Sequence, residues 1–181
     1  MTTTDAAPSV APNIVPAFDT PSSEGRKLAI ICSKGNLDMA YPGLILANAA
    51  LGEGVDTHLF FTFWGFDMIV KSRMHNLQFS PVGNTAMHPI GGAHIPQALT
   101  PLPGMTAMAT HMLKKQIADL GVPEIPDFLD QIVAAGGHLW ACRMSADMMK
   151  LTESDLRDDV EGIISAADFV ELTNGAQLLF I

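Results

Sequence analysis

The chain is poor in cysteine: Cys32 and Cys142 are its only two among 181 residues. Two thiols are too few for a disulfide framework or a four-thiolate zinc site. They suit a reducing, cytoplasmic setting in which a thiol does chemistry. Positive charge is also scarce. Ten Lys and Arg stand against nineteen Asp and Glu, a formal net charge of −9. Such a surface repels a phosphate backbone and anionic lipid, which argues against nucleic-acid binding and electrostatic membrane docking. No apolar run reaches the roughly 18 residues of a membrane span. The N-terminal stretch has neither the basic start nor the apolar core of a signal peptide. GxGxxG and GxSxG are missing, and Lys34-Gly35 lacks the preceding glycine of a P-loop, so dinucleotide, serine-hydrolase and P-loop chemistry have no support.

What is present is apolar residues, 48% of the chain, enough for one domain with a real core. Residues 1–25, rich in Thr, Ala, Pro and Ser, read as a flexible arm. Residues 26–181 read as a single α/β domain. Lys27 to Cys32 is a buried strand by its apolar run. Asp38 is a candidate cap for a helix whose apolar face carries Ala40, Leu44, Ala47 and Leu51. Val55 to Phe61 is a second strand, so the three elements form a βαβ unit with parallel pairing. Helices are expected over Phe66–Met74, Thr106–Leu120 and Pro126–Ala135, and a strand over His138–Cys142. Ser145 is a candidate cap for a turn through Met149. Thr152 and Asp155 have the spacing of a capping box. Ile163–Leu172 reads as a helix and Ala176–Ile181 as a closing strand. The sum is a three-layer open sheet, mostly parallel, with helices on both faces. Residues 80–104 form a long insertion of the kind that is usually functional or an assembly element.

Cys142 ends an apolar strand just before a helix start. Reactive groups in open α/β sheets gather beyond the carboxyl ends of strands, and helix N–H groups there favour a thiolate. Arg143 can add positive charge if its side chain points the same way. Position alone leaves Cys142 equally open to a buried, structural role. Cys32 ends the first strand and is a candidate accessory thiol, although a core cysteine is the simpler reading. His88, His94 and His111, with Met87, Met105 and Met108, offer conceivable soft-metal ligands. They lack ligand spacing, and polar loop residues with interface methionines explain them more simply. Phe60 to Gly65 is an aromatic run at a strand end, read as core or subunit contact.

Three segments then resemble the DsrE/DsrF/DsrH-like family. They are Leu28-Ala-Ile-Ile-Cys-Ser-Lys-Gly-Asn-Leu-Asp38, Phe60-Phe-Thr-Phe-Trp-Gly65 and Leu139-Trp-Ala-Cys-Arg-Met-Ser145. The tail from Val160 to Ile181 resembles the family's closing helix and strand. The resemblance implies an α/β sandwich, a trimer-based homo-oligomer, and a sulfurtransferase-like carrier that holds sulfane sulfur as a persulfide on Cys142. It implies TusA-like and rhodanese-like partners, and for larger members heterodisulfide-reductase-like complexes. Such chemistry needs no metal or organic cofactor, and no metal ligand is assigned. Two rival readings remain: a non-catalytic oligomeric binding or assembly protein, and a His/Met metal module in the insertion.

Overall fold

The computed structural model describes residues 25–85 and 96–181. Nearly all of the expected arm, and Met87, His88 and His94 of the insertion, lie outside the described residues. Five strands form one sheet: β1 (Lys27–Cys32), β2 (Asp56–Phe61), β3 (His138–Cys142), β4 (Gly162–Ile164) and β5 (Gln177–Phe180). Their order is β4-β3-β2-β1-β5, and every pairing is parallel. The helices are α1 (Leu37–Gly52), α2 (Met105–Asp119), α3 (Ile125–Ala134), α4 (Arg143–Met149) and α5 (Ala166–Leu172).

Alternation along the strands divides the core in two. Ile30, Cys32, Leu59, Phe61, Leu139 and Ala141 face a large cluster shared with Leu44 of α1 and Leu129 of α3. Ala29, Phe60 and Cys142 face the other way, into a small cluster closed by Phe169 of α5. Phe60 and Phe169 stack with ring centroids 4.5 Å apart. Helices therefore cover both faces, as parallel sheets require.

Three expectations are corrected. Phe66–Met74 is not one helix. Two 3-10 turns, Phe63–Met68 and Met74–Asn76, flank a bridge from Val70 to Leu156 that pulls the chain across the core. Ile163–Leu172 is not one helix either. Its first residues pair with β3 as β4, and the helix starts only after Ser165, whose hydroxyl accepts from the Asp168 N–H. Asp38 does not cap α1; Asn36 occupies that place and Asp38 lies in the first turn. The Thr152–Asp155 capping box is present.

The loop after β2 is fixed by two glycines. A Cβ on Gly65 would fall 2.1 Å from the Cys32 carbonyl oxygen, and one on Gly35 would fall 2.3 Å from that of Trp64. Only glycine permits such backbone approach. Thr62 N–H donates to the Cys32 carbonyl at 3.0 Å, so the end of β1 anchors the first residue of the loop.

Candidate functional site

Parallel register sets Phe61 beside Ala141, so Thr62 follows where Cys142 follows. Cys142 ends β3 and occupies the residue before the first turn of α4, with extended backbone (φ −74°, ψ 121°). The first N–H groups of a helix have no partner within it. Those of Met144 and Ser145 face the Cys142 sulfur, as do the hydroxyls of Thr62 and Ser145. The Cys142 side chain makes no short capping bond to them. Burial, the largest single influence, pushes the Cys142 thiol up; the donors of Thr62, Ser145 and Met144 together outweigh it and hold the thiol below its ordinary value.

The donors are themselves held in place. Ser145 is wholly buried. Its oxygen lies 3.2 Å from that of Thr62 and accepts the Phe63 N–H at 2.8 Å. Phe63 has a left-handed backbone (φ 46°), a costly conformation for a bulky residue that the Ser145 bond helps to hold. Its ring and that of Trp64 are exposed, as are Met144 and Met148. An apolar rim therefore flanks a thiol that is itself only 4% exposed. An open cleft of about 500 Å³ shares Trp64 with this rim, but its other lining residues, among them Gly35, Asp67, Arg73 and Thr106, do not include Cys142.

Arg143 is directed elsewhere. Its guanidinium donates to the Ile163 carbonyl at 2.6 Å, and the Asp168 carboxyl is held down by the Ser165 hydroxyl and N–H, with Arg143 adding a smaller part. Cys32 is not brought to Cys142 either. It faces the opposite side of the sheet, packed so that a Cβ on Gly43 would lie 3.5 Å from its sulfur. Burial alone pushes its thiol up to about 12. His111 is exposed on α2. Thr62 carries no sequence signal of its own, and Ser145 is not the cap that the sequence suggests but lies inside α4, with Cys142 at the cap position. The available signals were those of context: a hydroxyl interrupting the aromatic run after β2 and a serine in the third helical position after a strand-end cysteine.

The model of the DsrE/DsrF/DrsH-like family matches residues 24–180. The chain is 37% identical over 148 residues to the sulfur carrier protein DsrE2 of Allochromatium vinosum, covering 81% of this chain and 92% of that protein. It is 25% identical over 164 residues to the uncharacterized protein YrkE of Bacillus subtilis, covering 88% of this chain and 99% of that one. The crystal structure of the ychN protein from E. coli superposes with a TM-score of 0.51 at 15% identity, covering 86% of this chain and 99% of the other, a likeness of fold. With its parallel sheet and a family match that spans all five strands, the chain belongs to the DsrE/DsrF/DrsH-like family.

Proposed function

We propose that the protein is a sulfur carrier that holds sulfane sulfur as a persulfide on Cys142. The observation that carries this reading is the place of Cys142 at a strand end and helix start beside the Thr62 and Ser145 hydroxyls, which with the Met144 and Ser145 N–H groups favour the thiolate despite burial. Thirty-seven per cent identity to a protein named as a sulfur carrier supports it.

In the loading step, the Cys142 thiolate attacks the outer sulfur of a donor persulfide. A new S–S bond forms on Cys142, the donor's S–S bond breaks, and the electron pair leaves with the donor thiolate. The proton on the outer sulfur travels with it, so no net oxidant is needed. In the unloading step, a partner thiolate attacks that same outer sulfur, and Cys142 departs as thiolate. The same donors that steady the free thiolate make Cys142 a good leaving group. The protein supplies the cysteine environment and a docking rim; TusA-like or rhodanese-like proteins in a reducing cytoplasm are the donor and acceptor class.

A homo-oligomer belongs to the same reading. Leu178 and Phe180 on edge strand β5 and Val170 on α5 are more than 60% exposed, and apolar edge strands need cover.

Intact mass measurement after polysulfide treatment tests the carrier role. Wild type should gain sulfur that a reductant removes, Cys32→Ser should gain it equally, and Cys142→Ser should gain none. Undiminished loading of Cys142→Ser would sink the proposal.

A further inference from the structure

We infer that Asp56, His58 and His138 form a binding site for a zinc-class divalent metal at the amino-terminal edge of the sheet. Asp56 opens β2 and His138 opens the neighbouring parallel β3. Cys142 lies four residues further along β3, about 13 Å away along the strand. The site is therefore separate from the sulfur chemistry and does not depend on it.

The three side chains offer two imidazole nitrogens and one carboxylate oxygen, the donor set of borderline first-row metals. Asp56 Oδ1 lies 3.1 Å from His58 Nε2 and 3.7 Å from His138 Nε2. Tetrahedral zinc with bonds near 2.0–2.1 Å puts its ligand atoms about 3.3 Å apart. All three donor atoms fall within 4.8 Å of one another, the one such group among the described residues. His58 is buried, and its Nε2 faces the Asp56 carboxylate rather than solvent. His138 is oriented as metal-binding histidines are. Its Nδ1 lies 2.5 Å from Glu161 Oε1, so a carboxylate holds the ring by one nitrogen while the other, Nε2, is turned toward Asp56. Lys27 sits 3.7 Å from the other carboxylate oxygen, Oδ2, and leaves Oδ1 to the site.

Two features say what binding must rearrange. The imidazoles stack at 4.6 Å and 16°, so their lone pairs converge only after a ring turns about its soft terminal torsion. Trp140 Nε1–H donates to His58 Nδ1 at 3.2 Å. That bond places the His58 proton on Nε2. Metal on Nε2 moves the proton to Nδ1, where it would meet the indole N–H head-on. His58 stays neutral, no net proton is released, and Trp140 must let go. Trp140 is thus a latch that competes with the metal and a reporter of its binding.

The test uses the tag-free, full-length chain stripped of metal, titrated with Zn²⁺ and with Co²⁺ as a spectroscopic stand-in. The expected result is one equivalent bound, with the visible bands of tetrahedral cobalt, no thiolate charge-transfer band, and a change in indole emission. Trp140→Phe should lose that emission change and bind more tightly, by roughly three- to tenfold, because one competing hydrogen bond is gone. Asp56→Asn and His138→Gln should each weaken binding at least about tenfold, and Glu161→Gln about tenfold through the His138 ring. Asp56 and Glu161 are partly exposed, so these isosteric changes spare the fold. The Cys142 alkylation rate should not move in Glu161→Gln. No binding in the micromolar range would overturn the inference and leave the cluster as a proton network. Undiminished binding in the Asp56→Asn/His138→Gln double variant, a charge-transfer band lost in Cys142→Ser, or weaker binding in Trp140→Phe would each overturn it as well.

Discussion

Cys32 and Cys142 end two strands of one sheet at the same edge, and each is 4% exposed. Their chemistry diverges because of what meets the sulfur. Cys32 faces the large core, where α1 presents Gly43, Ile30 lies alongside and no donor compensates burial; its thiol is pushed up to about 12. Cys142 faces the small cluster and the start of α4, where burial also raises the thiol but four donor groups from Thr62, Ser145 and Met144 reverse the sign. Equal solvent exposure thus conceals opposite shifts of the two thiols. Side-chain alternation decides it: Cys32 and Cys142 belong to opposite faces of the sheet.

The largest expected effect is in alkylation. At pH 7–8 the thiolate fraction of a thiol near 12 is about a thousandfold smaller than that of one at or below the ordinary 9.0. Lower intrinsic nucleophilicity of the more acidic thiol returns part of this advantage. Cys142 should still react at least about thirtyfold faster than Cys32 with iodoacetamide, read by peptide mass spectrometry of the native protein. Comparable rates would remove the physical basis for separating the two residues.

That separation was only partly legible in the sequence. The β3 boundaries at His138 and Cys142 were readable because an apolar run sits between Gly136-Gly137 and a helix start. The βαβ unit was readable from the same kind of punctuation, Gly52 and Gly54 before β2. The three-residue β4 was hidden because Ile163 and Ile164 continue an apolar pattern into α5, and only pairing with β3 distinguishes them. The candidate site was legible at Cys142 and not at the polar groups around it. Thr62 is one hydroxyl inside Phe60-Phe-Thr-Phe-Trp, and its place beside Cys142 follows from the register of β2 on β3, a long-range fact. The Asp56, His58 and His138 grouping is hidden for the same reason: about 80 residues separate its two halves in the chain.

A stability measurement sharpens the Cys32 side. Its thiol is neutral in the folded state up to about 12 but ionises from about 9.0 once unfolded. An acid whose folded value is raised favours folding below the unfolded value, and that contribution is lost as pH climbs from about 9 toward 12. Between pH 8 and 11 wild type should therefore lose roughly 2–3 kcal/mol more than Cys32→Ala, whose constant cavity cost cancels in the pH difference. Parallel denaturant midpoints across that range, with unchanged slopes, check it. Identical alkaline losses would mean that Cys32 is not held neutral by its core.

The smallest effect probes the donors one at a time. Ser145→Ala removes a hydroxyl that faces the Cys142 sulfur and also accepts the Phe63 N–H. The first loss should raise the Cys142 thiol, whose alkylation at neutral pH should slow by roughly three- to tenfold, one hydrogen bond's worth. The pH–rate profile should shift to higher pH by a similar factor while its plateau above the thiol's own titration changes little. A slower plateau would instead place the effect on access. The second loss frees Phe63 from a costly left-handed backbone. Thr62→Val removes a donor and leaves the Ser145 hydroxyl in place to accept the Phe63 N–H, so its rate loss should match Ser145→Ala only if the donor, not the loop, sets reactivity. If Thr62→Val is silent and Ser145→Ala is slow in the plateau, then Phe63 and Trp64 gate the thiol. In that case Cys142 and Cys32 would differ by access rather than by charge.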